Sequence, residues 1–120
     1  MFKRWAKQRL LSFLATRLPW HGRISYSQFG EDIAAHTLLK QYQIEHGFYL
    51  DVGAYHPVYL SNTYLFYQRG WSGITIEPTP GSAAEFRAIR PRDIHLDCVV
   101  TPTASSSTAT FFSFGPESLS

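Results

Sequence analysis

The spacing of apolar positions switches between helical and strand-like periods along the chain. In residues 1–18, Phe2, Trp5, Leu10, Leu11, Phe13, Leu14 and Leu18 recur at roughly helical intervals among basic residues, and Pro19 stops the pattern. A second helix is predicted over residues 28–42. Ser27 is a good cap for it, Glu31 and Asp32 fall in the first turn where the helix dipole favours acids, and Ala34, Ala35, Leu38, Leu39 and Tyr42 form one apolar stripe. Gly47 breaks that helix, and Phe48-Tyr49-Leu50-Asp51-Val52 reads as a buried parallel strand ending at Gly53.

The alternation continues. Ser61 or Asn62 caps a helix carrying Tyr64, Leu65 and Tyr67, which closes at Gly70, and Ile74-Thr75-Ile76 is a second strand with Glu77 at its carboxyl end. Thr79-Pro80 opens a third helix of this series, with Ala83, Phe86 and Ile89 as its buried face. Ile94-His95-Leu96 leads into Cys98-Val99-Val100 as a third strand, and residues 108–114 alternate enough to be a fourth. Strands alternating with helices at these intervals imply an α/β fold with a mostly parallel sheet. Two regions result, a basic amphipathic extension over 1–22 and a folded part over 23–120.

Composition supports folding: apolar residues make up 44% of the 120 and charged residues 17%. The formal charge of +2 is unevenly distributed, because Lys3, Arg4, Lys7, Arg9, Arg17 and Arg23 meet no acid in the first stretch. That asymmetry argues against a nucleic-acid reader, which needs positive charge across the folded face that docks. It suits peripheral contact of residues 1–18 with an anionic membrane, or a helix packed on its own domain or on a partner. Cys98 is the sole cysteine, so no disulfide framework or zinc cluster is expected, and a cytoplasmic setting follows, with membrane association through the first helix as an option. The histidines lack metal-ligand spacing, and no metal is expected.

Ligands of open α/β sheets bind beyond the carboxyl ends of the strands. Two features of this chain meet there. Gly53, in Asp51-Val52-Gly53-Ala54, lets a ligand approach the backbone, and Glu77, at the end of the next strand, can accept hydrogen bonds from both hydroxyls of a ribose. A dinucleotide fingerprint would need further glycines where Tyr55 and Pro57 stand, so a phosphate-free nucleoside cofactor fits better than a pyrophosphate.

The ordered set Ser27-Gln28-Phe29-Gly30-Glu31-Asp32, Gly47-Phe48-Tyr49-Leu50-Asp51-Val52-Gly53-Ala54, Pro57, Ser61-Asn62-Thr63, Gly70-Trp71-Ser72-Gly73-Ile74 and Glu77-Pro78 resembles the N-terminal part of the FkbM family of methyltransferases. The resemblance implies a class I, Rossmann-like fold, S-adenosyl-L-methionine as cofactor, and methyl transfer to an oxygen of a small-molecule or glycan acceptor. It places Asp51 and Gly53 at the methionine end of the cofactor, Glu77 on its ribose, Gln28 and Glu31 closing over the site, and Asp97, or the backbone near Cys98, by the adenine. Tyr55 and His56 stand where class I enzymes commonly have glycines. The resemblance names no catalytic base, and His56 reads equally as a loop residue or as that base. The run Phe114-Gly115-Pro116-Glu117-Ser118-Leu119-Ser120 adds no closing element, so the expectation is a fold incomplete at its C-terminus that carries the cofactor-binding half. Two alternatives stand beside it: a cofactor-binding remnant without catalysis, and a nucleotide-dependent oxidoreductase half.

Overall fold

The computed structural model describes residues 23–102 together with Thr108, Thr110 and Phe112. The amphipathic run over 1–18 lies outside the described residues. Most of the expected fourth strand does too, and the three described residues in that stretch belong to no strand.

Among the described residues six elements follow in order: α1 (Glu31–Gln41), β1 (Phe48–Val52), α2 (Tyr64–Gln68), β2 (Ser72–Ile76), α3 (Ser82–Ile89) and β3 (Ile94–Leu96). The strands form one parallel sheet in the order β1-β2-β3, with Leu50 opposite Ile74 and Ile74 opposite Ile94. Parallel neighbours need a crossover, and α2 and α3 supply the two. This is a small α/β arrangement compatible with part of a Rossmann-like fold.

Local chemistry sets the boundaries. The N–H of Trp71 donates to the carbonyl of Phe66 and the N–H of Gly70 to that of Tyr67, with Gly70 at φ +89°, so α2 ends in a Schellman turn. At its start the N-cap is Thr63, not the expected Ser61 or Asn62, and it makes no side-chain cap bond; the Ser61 hydroxyl, two residues earlier, accepts the N–H groups of Thr63 and Tyr64. Two other helix starts differ from expectation. The first helix begins at Glu31 with Gly30 at its N-cap, so Gln28 lies outside it; the Ser27 hydroxyl donates to the Asp32 carboxylate and accepts the Asp32 N–H at 3.3 Å. The third begins at Ser82 behind Gly81, because Thr79 is committed to Glu77 through both its N–H and its hydroxyl.

The stripe on α1 is also corrected. Ala34, Ala35, Leu38 and Tyr42 are exposed, whereas Asp32 is fully buried and Ile33, His36 and Leu39 are half-buried. On α3, Phe86 is the buried anchor, Ala83 is half-buried and Ile89 is exposed. The aromatic residues Phe66, Tyr67 and Trp71 join Leu65, Ala54, Ile76 and Phe86 in the core. Gly47 and Gly73 are packing requirements: a Cβ on the first would enter the Trp71 ring, and one on the second would enter the ring and carbonyl of Tyr49.

β1 is not buried on both faces. Phe48, Leu50 and Val52 are 62%, 63% and 56% exposed, and on the same face Ile94 and Leu96 are open as well. β3 stops at Leu96, so Cys98, Val99 and Val100 fall outside the strand expected of them and are exposed. The reason is the same in both places: no described element lies over them.

Candidate cofactor site at the strand ends

The loop after β1 and the loop after β2 are joined by one side chain. Glu77 is 6% exposed, and its Oε2 accepts the N–H of Tyr55 at 2.9 Å while Oε1 accepts the N–H and hydroxyl of Thr79 at 3.0 and 2.6 Å. A carboxylate offers about four acceptor positions, so these three bonds leave about one for a further donor. The N–H groups of Gly53 and Ala54 both donate to the carbonyl of Ile76, at 2.9 and 3.0 Å. The glycine turn and the acid of the neighbouring strand are therefore one clasp at the carboxyl ends of β1 and β2.

Gly53 sits at φ +74°, and a Cβ there would meet open space. What it offers a ligand is approach, since its N–H is already used. Tyr55 also adopts a left-handed backbone, at φ 55°, which costs a non-glycine residue about 1 kcal/mol or more. The Glu77 bond to its N–H holds it there.

Asp51, half-buried on β1, accepts the Thr63 hydroxyl on Oδ2 at 2.5 Å. Thr63 in turn accepts from Arg90, which is 1% exposed. All five N–H groups of that guanidinium have acceptors: Nε donates to Asp93, Nη1 to the Pro57 carbonyl and Ser61, Nη2 to Tyr49 and Thr63. Asp93 also accepts the Tyr49 hydroxyl and the Gly73 N–H. Burial, then the bond to Asp93, raises the Tyr49 phenol, which stays a donor. Asp51 thus ends a buried chain that fixes the loop over 57–63 against the sheet.

The remaining expected contacts lie apart from the clasp. Gln28 is exposed, and Glu31 turns back on its own backbone, accepting the Phe29 N–H at 2.8 Å. Bonds from its own N–H, from Phe29 and from Ser27 hold the Glu31 carboxyl below its ordinary value. No hydrogen bond links either residue to Gly53 or Glu77. Asp97 is exposed just past β3 and forms no hydrogen bond among the described residues. His56 is a loop brace: its Nδ1 accepts the N–H groups of Val58 and Tyr59, and its ring stacks on Tyr59 at 3.6 Å.

Two buried acids were missed by sequence reasoning. Asp32 receives the Ser25 and Ser27 hydroxyls and the N–H groups of Tyr26 and Ile33. Burial pushes its carboxyl up, and these bonds more than offset that, leaving it below its ordinary value. The other is Asp93. Short polar residues just ahead of Asp32, and an Arg three places before Asp93 at a helix end, were the available signals.

No group of three or more His, Cys, Asp or Glu among the described residues is arranged to hold a metal, and no described helix is long and apolar enough to cross a membrane. Searches against family models, curated proteins and solved structures give no match to this chain.

Proposed function

We propose that the Gly53–Glu77 clasp binds the nucleoside of S-adenosyl-L-methionine, and that this chain carries the cofactor-binding half of an FkbM-type methyltransferase with a class I, Rossmann-like fold. The reading rests first on one observation: an open glycine turn and a nearly buried carboxylate, on adjacent parallel strands, are bonded through the N–H of Tyr55. A ribose hydroxyl would take the acceptor position left on Glu77, and the cofactor would pass over the open side of Gly53.

The glycine turn bears on the choice between phosphate-free and dinucleotide cofactors. A pyrophosphate rests on free amides at the start of the helix that follows the glycine turn. Here the amides of Gly53 and Ala54 are spent on Ile76, and α2 begins only at Tyr64. That favours a sulfonium cofactor over NAD and disfavours the oxidoreductase reading.

The bound cofactor would supply an electrophilic methyl group, transferred by in-line displacement to a hydroxyl of a small molecule or glycan. The residues of this chain would bind and orient it, with effective placement as their main contribution. Among them, His56 is a poor base for the acceptor, because its Nδ1 already takes two amides. The clasp serves a binding remnant without catalysis equally well.

Calorimetric titration of the full chain with S-adenosylmethionine, S-adenosylhomocysteine and NAD tests this. Saturable heat is expected with the first two, and Glu77→Gln should weaken it about tenfold or more, the effect of one charged hydrogen bond. Saturable heat with NAD alone would overturn the proposal.

A further inference from the structure

A second cleft lies on the helical side of the molecule, away from the strand ends. It encloses about 380 Å³ and is lined by Arg23, Tyr26, Ile33, His36, Leu65 and Arg69, among others. A neighbouring cleft of about 360 Å³ shares His36 and Arg69 and adds Lys40, His46 and Glu45. Arg23 spends one N–H on the Thr37 hydroxyl at 2.9 Å, and neither it, Lys40 nor Arg69 has a carboxylate partner among the described residues. Glu45 is the one acid lining either cleft, and it lines only the second.

Positive charge with no carboxylate partner among the described residues leaves a trace on its surroundings. Burial, followed by the charges of Arg69, Arg23 and Lys40, holds the His36 imidazolium below its ordinary value. Arg23 is also the last of six basic residues in the first 23, which include no acid. Guanidinium groups that share a concave site match the oxygens of phosphate better than they match a monovalent anion, because each can offer paired N–H donors.

We propose that the cleft between α1 and α2 is an anion site for a phosphate monoester, held by Arg23 and Arg69 with Lys40 and the His36 ring at its edge. The same chemistry is carried by a free phosphate ester and by the headgroup of phosphatidic acid. This proposal is independent of the cofactor reading, since it uses none of the residues at the strand ends.

The test uses the full chain at constant ionic strength, with chloride as the balancing anion. Inorganic phosphate and glycerol phosphate are titrated while the His36 ring is followed by NMR, and phosphatidic acid vesicles are compared with phosphatidylcholine vesicles by sedimentation. Saturable phosphate binding is expected, with a rise in the His36 pKa on binding. Arg69→Gln and Arg23→Gln should each weaken it about tenfold, and Arg69→Lys should restore part of the loss. Sedimentation with phosphatidic acid that both Gln variants reduce assigns the phosphate to a lipid. Phosphate binding without vesicle binding assigns it to a free ester. The proposal fails if phosphate leaves His36 unmoved, or if the Gln variants bind as the parent does; vesicle binding equal in all variants, without phosphate binding, likewise contradicts it.

Discussion

The two faces of the three-stranded sheet are built on opposite principles. One carries Tyr49, Asp51, Gly73, Thr75 and His95, and it is covered by the buried ion pair of Arg90 and Asp93 with their hydrogen-bond partners. The other carries Phe48, Leu50, Val52, Ile74, Ile76, Ile94 and Leu96; of these Ile76 is buried, whereas Phe48, Leu50, Val52, Ile94 and Leu96 are open to solvent. The hydrophobic pattern would place the core under the second face. The structure places it under the first, where polar groups are each satisfied and the aromatic rings of Phe66, Tyr67, Trp71 and Phe86 close around them. Order in this chain therefore depends on directional bonds at one face more than on the apolar area of the other. Parallel sheets are ordinarily covered on both sides, so the described residues form one complete layer on one side of the sheet.

That contrast is broken most severely at Arg90. Arg90→Met strands the Asp93 carboxylate and four other acceptors, and urea unfolding should show a loss of about 3–5 kcal/mol. A loss below about 1 kcal/mol would mean that the network contributes little. Gly73→Ala comes next. Its methyl group would meet the backbone carbonyl of Tyr49 as well as the ring, so about 1–3 kcal/mol should be lost in the same assay.

A smaller effect belongs to pH. Burial lowers His95, against the opposing charge of Asp97, and burial with nearby cations lowers His36. Both folded values lie below 6.5, so the unfolded chain takes up these protons first as pH falls. Stability should hold above pH 6.5 and decline below it, levelling once the folded imidazoles protonate. Urea midpoints measured through this range check the sign; a midpoint that rises on acidification would contradict it. His95→Gln should flatten part of the decline.

The open face should respond least. Leu50→Thr exchanges an exposed leucine for a β-compatible polar residue, and the change in stability should stay within about 0.5 kcal/mol. Light scattering should show less self-association in this variant. A large destabilisation would mean that Leu50 is covered in solution.

The legible parts of the fold were those fixed by neighbours in sequence. β1 runs from Phe48 to Val52 as read, because five β-prone residues stand between Gly47 and Gly53, and α2 closes at Gly70 through a local turn. β2 extends back to Ser72 because its partner strand, which no local pattern reveals, offers a register to Ser72 and Gly73. The helix starts fall later than read: Gly30 and Gly81 stand at the N-caps, the Ser27 hydroxyl both donates to the Asp32 carboxylate and accepts the Asp32 N–H, and the Thr79 hydroxyl donates to Glu77. Arg90 was not legible: its partners lie as far back as Tyr49, and such contacts have no local signature. In the candidate site, Gly53 and Glu77 were readable from their places at strand ends. The binding of Glu77 to the Tyr55 backbone was not, since it depends on two loops meeting.

The most direct measurement of the cofactor assignment follows backbone amides by NMR as S-adenosylhomocysteine is added to the intact chain. The account predicts that the largest shifts fall on Gly53, Ala54, Tyr55 and Thr79, whose N–H groups report on the Glu77 clasp. Saturation with those four amides unmoved, or shifts confined to the helical side, would contradict it.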